Sequence, residues 1–451
     1  MDYIPNSPGE REAMLRAIGK SSVEELFSSI PASIRARPPA GLRPAASELE
    51  IAREIAELGT VNTSLEESVS FLGAGCYDHY VPAVVDELFA RGELWTGYTP
   101  YQAEASQGTL QLLFEYQSMI CDLFAMEVTN ASMYDGASAL AEALLMAERI
   151  KPGGKLLLSS AIHPEYLQVA RTYFARSATA LEEVATQDGV TSLEDLARRI
   201  DQSTSAVAVA SPNFFGSIEE MAEISRLVKR AGALLIAVVN PISLALLAPP
   251  GEYDADIAVA EGQCLGNYPS FGGGCFGILA TKQAFVRQLP GRIVGETVDA
   301  EGRRTFCLTV QTREQHIRRE RATSNICTNH TLHALRAGAY LAALGAGGLR
   351  KVAYASLAKA HYACDQIVKI GGFAKKFSKP FFNEFVIATP FDAAEIEAEM
   401  LDRAIFPGVN LGRFKKEWAN SLLVCVTEKR TRWEIEEFVR CLKGMSLSSM
   451  S

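Results

Sequence analysis

Ser205-Ala-Val-Ala-Val-Ala-Ser211, followed by Pro212-Asn213, and Ala233-Leu-Leu-Ile-Ala-Val-Val-Asn240 decide the fold. Both are short, unbroken apolar runs, and a polar residue closes each. Runs of this kind are strands buried on both faces, as in a parallel sheet covered by helices on either side. Lys155-Leu-Leu-Leu-Ser-Ser160, Asp256-Ile-Ala-Val-Ala260 and Phe276-Gly-Ile-Leu-Ala-Thr281 repeat the pattern. Helical stretches to about Arg176 and Arg230 separate the first runs, so the spacing predicts an α/β domain with a parallel sheet. His163, Asn213, Asn240 and Gln263 fall at the C-terminal ends of these strands, where open α/β sheets place ligands.

Upstream lies Gly97-Tyr-Thr-Pro-Tyr-Gln-Ala-Glu-Ala-Ser-Gln-Gly108, which runs into Thr109-Leu-Gln-Leu-Leu-Phe-Glu-Tyr-Gln-Ser-Met-Ile-Cys-Asp-Leu-Phe-Ala125. Tyr98, Thr99, Tyr101, Gln102, Glu104, Ser106 and Gln107 can all hydrogen-bond, and Pro100 fixes the backbone between them. Thr99, before a proline, is pushed to an extended conformation. The second half is apolar almost all round and predicts a helix buried on most faces. A stiff polar loop against a buried helix presents a defined surface to a ligand, or merely caps a core helix.

Residues 1–60 predict an N-terminal helical arm. Ser7-Pro-Gly-Glu10 and Ser21-Ser-Val-Glu-Glu25 are helix starts, and Ser47 caps Glu48 to Leu58. The tether Arg35–Pro44 is too proline-rich for regular structure. Such an arm wraps a partner subunit or lies on the surface. In Phe71-Leu-Gly-Ala-Gly-Cys-Tyr-Asp-His-Tyr-Val-Pro82, Asp78, His79 and Tyr80 precede a helix to Arg91. Asn130-Ala-Ser-Met-Tyr-Asp-Gly-Ala-Ser-Ala-Leu-Ala-Glu142 opens a helix whose free N–H groups could seat an anion, though Asp135 would repel one. The large domain runs from 61 to 329. From 330 to 451 a long helix to Gly345, and on through Leu349 to Ile370, leads to a small α/β domain. That unit reads as strand Asn383–Thr389, helix Ala393–Arg403, strand Ser421–Thr427 and a helix from Thr431, whose Thr431-Arg-Trp-Glu434 is a capping box.

The chain has 451 residues, 48% of them hydrophobic and 22% charged, a balance ordinary for a soluble enzyme. A net charge of −9 argues against a nucleic-acid surface. No run is apolar for the ~18 residues that a membrane span needs, and no secretory signal opens the chain. The expected location is the cytoplasm. Nine cysteines without a CxxC pair read as reduced, mostly buried thiols. His330-Thr-Leu-His333 lacks a third ligand at useful spacing, so no metal site is expected.

A large parallel α/β domain, an N-terminal arm and a small C-terminal α/β domain form the outline of the aspartate-aminotransferase-like (fold type I) enzymes of pyridoxal phosphate. Outline alone gives no function. The motifs are more specific. Tyr98-Thr-Pro-Tyr-Gln-Ala-Glu-Ala-Ser-Gln-Gly108 resembles the tyrosine-threonine-proline-tyrosine-glutamine motif of glycine decarboxylase, the P-protein of the glycine cleavage system. The resemblance recurs at Phe71–Tyr80, Asn130–Ala137, Pro250-Gly-Glu-Tyr-Asp-Ala-Asp-Ile257 and Pro290-Gly-Arg-Ile-Val-Gly295. Gln311-Thr-Arg-Glu-Gln-His-Ile-Arg-Arg-Glu320 and Ala322-Thr-Ser-Asn-Ile-Cys-Thr-Asn329 complete the set. It implies that glycine condenses with pyridoxal phosphate, loses its carboxylate as CO2, and passes aminomethyl to the lipoyl arm of H-protein, an oxidoreductase step of glycine catabolism.

One feature does not fit a complete enzyme of this kind. The chemistry needs a lysine to hold the cofactor as a Schiff base. From Ala231 to Thr281 there is no lysine, and Gln263 and Cys264 stand at the expected position. A pyridinium nitrogen wants a carboxylate at the end of the 233–240 strand, and Asn240 supplies no charge. In many bacteria the P-protein is split into two homologous subunits, and only the second carries the lysine. This chain looks like the first. The resemblance then implies an α2β2 assembly with the cofactor on the lysine-bearing partner. Tyr98, Thr99, Tyr101, Gln102 and Glu104 would line the shared site from across the interface, with His79, Ser324, Asn325 and Thr328 as further candidates for the same wall. Gly272-Gly-Gly274 reads as close backbone packing. The competing readings are a self-sufficient pyridoxal-phosphate decarboxylase of another amino acid, and a structural or regulatory pseudoenzyme.

Overall fold

The computed structural model describes residues 6–35, 43–95, 97–270 and 274–448. The chain divides into two units, Met1–Thr63 and Ser64–Ser451. In the first, helices Pro8–Ala17 and Glu48–Gly59 both begin with capping boxes, Ser7 with Glu10 and Ser47 with Glu50. The expected start at Ser21 yields only a 3-10 turn, Val23–Phe27. Most of the proline-rich tether lies outside the described residues.

The second unit is built on a seven-stranded sheet. Its strands are β1 (Val128–Thr129), β2 (Lys155–Ser159), β3 (Leu181–Val184), β4 (Thr204–Ser211), β5 (Leu234–Val239), β6 (Ile257–Glu261) and β7 (Gly277–Thr281), in the order β1-β7-β6-β5-β4-β2-β3. The apolar runs became strands buried on both faces because their side chains alternate between two cores. Val207, Val209, Leu235, Ala237, Ala258 and Ala260 enter one, beneath helices Gln107–Phe124, Met221–Arg230 and Thr331–Ile367. Ala206, Ala208, Ile236, Val238, Ile257 and Val259 enter the other, beneath Gly136–Ile150 and Pro164–Phe174. Each buried Val, Leu or Ile contributes about 1.5–3 kcal/mol relative to exposure, so a one-residue slip would be costly.

The expectation of a parallel sheet needs one correction. β4, β5 and β6 are parallel, but β7 pairs antiparallel with β6. Among its described residues the loop between β6 and β7 carries no helix, and without a crossover the chain can only double back. The Gln107–Phe124 helix is corrected too. Leu110, Leu113, Tyr116, Gln117, Ile120 and Phe124 are buried, whereas Gln111, Glu115, Ser118 and Asp122 are exposed and Leu112 is 40% exposed. It buries one face, not most faces.

The C-terminal helix Thr331–Ile367 breaks at Gly345, where φ is 57°. Beyond it, a four-stranded antiparallel sheet runs in the order Ala374–Lys375, Glu384–Ala388, Ser421–Cys425, Val409–Asn410. Phe385, Ile387, Leu422 and Val424 pack there against Ile396, Ile435 and Phe438. This sheet closes over the C-terminal end of β4. Gly216 has φ +79°, its carbonyl accepts from Phe382 N, and a Cβ there would strike the Glu384 backbone, so glycine permits the close approach.

Candidate functional site

The C-terminal ends of β2, β4, β5 and β6 meet in a cavity of about 70 Å³. His163, Tyr166, Asn213, Asn240, Glu261 and Glu384 line it, with Ala74, Gly75 and Tyr77 from the 71–82 segment. This is the end of the sheet that the strand order assigns to ligands. Most of its polar groups are already in use. His163 Nδ1 accepts from Glu165 N at 3.1 Å, and burial holds its pKa below the ordinary histidine value. Asn213 donates to Gly189 O and Glu219, and Asn240 Oδ1 accepts from Ile242 N at 2.9 Å. Glu384 accepts from Ala74 N and from Tyr77 OH, both at 2.7 Å, while burial pushes its carboxyl up to about 7.

The expected anion seat is the N-terminus of Gly136–Ile150, and this chain fills it itself. Gly136 N donates to Glu261 Oε2 at 2.9 Å, and Ser138 N donates to Asp135 Oδ1 at 2.6 Å. The other oxygen of Glu261 accepts from Gln263 N and Phe276 N, both at 3.0 Å. Burial pushes this carboxyl up to about 7, against three N–H groups that favour the anion. Gln263 is fully buried and lies outside the cavity lining; its amide bonds Tyr77 N, Tyr77 O and Asn267 O. Cys264 is buried, and desolvation raises its thiol far above the usual range. Lys229 and Lys282 sit at the opposite end of β6, paired with Asp256 at 2.7 and 2.8 Å.

These residues do not fit pyridoxal phosphate. Among the described residues no lysine lines the cavity, a carboxylate occupies the phosphate donors, and ~70 Å³ is far below the ~300–1,000 Å³ of ordinary cofactor sites.

The Tyr98 loop lies elsewhere on the same body and is open to solvent. Tyr98 is 81% exposed and Tyr101 56%, while Gln102 and Glu104 are also exposed. Its stiffness comes from a buried arginine of the Pro290–Gly295 motif. Arg292, only 6% exposed, donates to Thr99 Oγ1 at 3.3 Å and to Tyr101 OH at 2.9 Å. It also donates to Asn329 Oδ1 at 3.2 Å and Cys327 O at 2.8 Å. The guanidinium therefore joins the Tyr98–Gln102 loop to the 324–329 segment, bringing Thr99 and Tyr101 beside that part of the sequence-predicted wall. Asn325 is exposed and Thr328 half-buried. Ser324 Oγ accepts from Ile326 N at 3.1 Å. His79 is placed differently: its Nδ1 lies 2.6 Å from Glu428, at the joint with the C-terminal sheet. Gly272 and Gly273 lie outside the described residues.

Glu261 and Arg292 were the informative residues missed. Each left a signal: a charge directly after an apolar strand, and a charge inside the apolar Pro290–Gly295 run.

Comparison with known proteins agrees with this geometry. The family model for the glycine cleavage system P-protein matches residues 1–442. A probable glycine dehydrogenase (decarboxylating) subunit 1 of Carboxydothermus hydrogenoformans is 49% identical over 444 residues, 98% of this chain and 100% of the relative. The crystal structure of an inhibitor-bound glycine decarboxylase (P-protein) of the glycine cleavage system is 44% identical, with a TM-score of 0.91, covering 98% of this chain and 100% of that one. At 14% identity, the sphingosine-1-phosphate lyase of Burkholderia pseudomallei shares the fold alone, with a TM-score of 0.66 over 94% of each chain. The architecture is that of fold type I pyridoxal-phosphate enzymes, and the chain belongs to the glycine cleavage system P-protein family.

Proposed function

We propose that this chain is the cofactor-free subunit of a two-subunit glycine-decarboxylating enzyme. A homologous, lysine-bearing subunit holds pyridoxal phosphate, and this chain supplies a wall of the shared site. Glycine loses its carboxylate as CO2, and the aminomethyl group passes to the lipoyl arm of H-protein. An α2β2 assembly in the cytoplasm, and the division of the chain at about residues 60 and 330, belong to the same proposal.

The observation that carries the reading is the anion seat at Gly136, filled by Glu261. A self-sufficient decarboxylase would need that seat open and a free amine beside it. The outer surface supports a partner. Val84, Leu88, Trp95, Tyr98, Tyr268 and Leu332 are all exposed, an apolar and aromatic set of the kind that becomes buried between subunits. Within it Tyr98, Thr99, Tyr101 and Gln102 position glycine by hydrogen bonds, Glu104 extends the wall, and Asn325 and Thr328 flank it. Ser324 and His79 serve through internal bonds.

The test is reduction with borohydride after pyridoxal phosphate is added, followed by peptide mapping. The isolated chain should show only surface-lysine background and no decarboxylation, and the reconstituted complex should carry its label on the partner. One stoichiometric pyridoxyl-lysine on this chain, with activity in the partner's absence, would overturn the proposal in favour of the self-sufficient enzyme.

A further inference from the structure

Arg292 is a buried cation without a counter-ion. Among the described residues no carboxylate forms an ion pair with it, and its four terminal N–H groups go to neutral acceptors: Thr99 Oγ1, Tyr101 OH, Asn329 Oδ1 and Cys327 O. Its Nε is buried with no acceptor, and its guanidinium carbon lies 5.2 Å from the Tyr101 ring centroid. A hydroxyl that accepts from a guanidinium keeps its own O–H free to donate, and the positive charge turns that hydrogen away from itself. For Tyr101 the other side is open, since the residue is 56% exposed. The buried charge therefore polarises two hydroxyls two residues apart, Tyr101 at the exposed surface and Thr99 half-buried behind it.

We infer that Arg292 is a positioning residue that presents Thr99 and Tyr101 as a donor pair for the carboxylate of glycine. The inference rests on the proposal that this loop lines the reaction site. The placement suits a carboxylate that must leave. As the Cα–carboxylate bond breaks, its electron pair stays on the Cα side and CO2 departs, so negative charge drains from the anchored group. A guanidinium paired directly with the carboxylate would hold the ground state most strongly and lose that interaction in the transition state. Hydroxyls with the charge one step behind them orient the carboxylate and release it more easily.

A phosphate is also an oxyanion, so the experiment must separate glycine from the partner's cofactor. Arg292→Gln, Arg292→Lys, Thr99→Val and Gln102→Ala are each assembled with the partner subunit, and assembly and cofactor content are verified. KM and kcat for glycine are measured, and glycine and methylamine are titrated by calorimetry. Methylamine is glycine without its carboxylate. Arg292→Gln should weaken glycine binding and raise KM on the order of tenfold, with kcat changed by less than about threefold. Methylamine binding should stay within about twofold, and Arg292→Lys should recover part of the loss. Should Arg292→Gln fail to assemble, Thr99→Val alone should weaken glycine and spare methylamine. Parallel loss of both ligands together with cofactor would assign the pair to the phosphate and overturn the inference. An effect of Gln102→Ala on glycine, with none from the Arg292 or Thr99 variants, would sink the inference and leave the loop at the site. No effect from any variant would remove the loop from the site altogether.

Discussion

Substituting Glu261 by Gln puts the filled anion seat to a direct test. The carboxylate accepts from Gly136 N at 2.9 Å and from Gln263 N and Phe276 N at 3.0 Å. An amide of the same shape offers one acceptor oxygen and one donor nitrogen. Whichever way it turns, a buried backbone N–H faces an N–H of the side chain. A buried donor left without an acceptor costs about 1–3 kcal/mol, so two opposed donors give a loss of roughly 2–5 kcal/mol. In a body of this size that lowers the midpoint of thermal unfolding by roughly 2–6 °C. The assay is thermal and urea unfolding of the complex at pH 8, where the wild-type group is ionised. A fold this dependent on Glu261 should still leave glycine turnover within about threefold at temperatures well below unfolding, because the seat holds no reacting group. A stability loss under ~0.5 kcal/mol would show that the three N–H groups do not depend on Glu261. A large loss of turnover with unchanged stability would make Glu261 a reaction-site residue and refute the account.

Three further outcomes are expected. Tyr101→Phe should lower glycine decarboxylation at subsaturating glycine by about tenfold or more, chiefly through KM and with assembly intact, as expected when one of two donors to the substrate carboxylate is lost; unchanged kinetics for it and for Gln102→Ala would return the loop to a structural role. Stability should fall as pH rises from about 5 to 8, because burial raises Glu219, Glu261 and Glu384 from 4.5 to about 7. Their folded forms hold the proton more tightly, so the stabilisation is complete below the unfolded value and lost through about 7, by up to ~3 kcal/mol per group; a flat or rising profile over that window contradicts the assignment. The isolated chain should aggregate or unfold readily, given the exposed Trp95, Tyr98 and Tyr268 surface, and light scattering that finds a clean, stable monomer would count against a shared interface.

The fold was legible where burial leaves a one-dimensional trace. The runs at 155, 205, 233, 256 and 276 became strands within a residue or two, because a strand buried on both faces must be apolar throughout. Direction left no such trace, and β7 reversed. Local hydrogen-bond chemistry was also readable, as the capping boxes at Ser7, Ser47 and Thr431 demonstrate. What could not be read was pairing at long range. Glu261 meets Gly136 across 125 residues, and Arg292 meets Thr99 across 193. Nothing in the spacing joins either pair; only the sheet order brings them together. The absent lysine was readable because an absence needs no partner, whereas the group that fills the anion seat was not.

The same pairings explain how a chain without a usable cofactor seat still presents an ordered loop. The 130–133 segment is fixed independently of Glu261. Ala131 N donates to Arg292 O at 2.8 Å, Asn130 Nδ2 to Pro290 O at 2.9 Å, and Asn329 Nδ2 to Ser132 Oγ at 2.9 Å. Met133 and Gly277 exchange backbone bonds at 2.7 and 3.1 Å, which ties the segment to β7. Arg292 is thus clamped through its backbone to the sheet and through its guanidinium to the loop, and the loop's hydroxyls inherit the rigidity of the sheet. None of these bonds involves Glu261, whose own partners are Gly136 N, Gln263 N and Phe276 N. In an enzyme that binds its own cofactor, seat and wall must be kept together, because one ligand touches both. Here the two are held by separate bonds, so on the proposed function the seat can become an internal joint while the loop keeps its place as a wall for the partner's reaction.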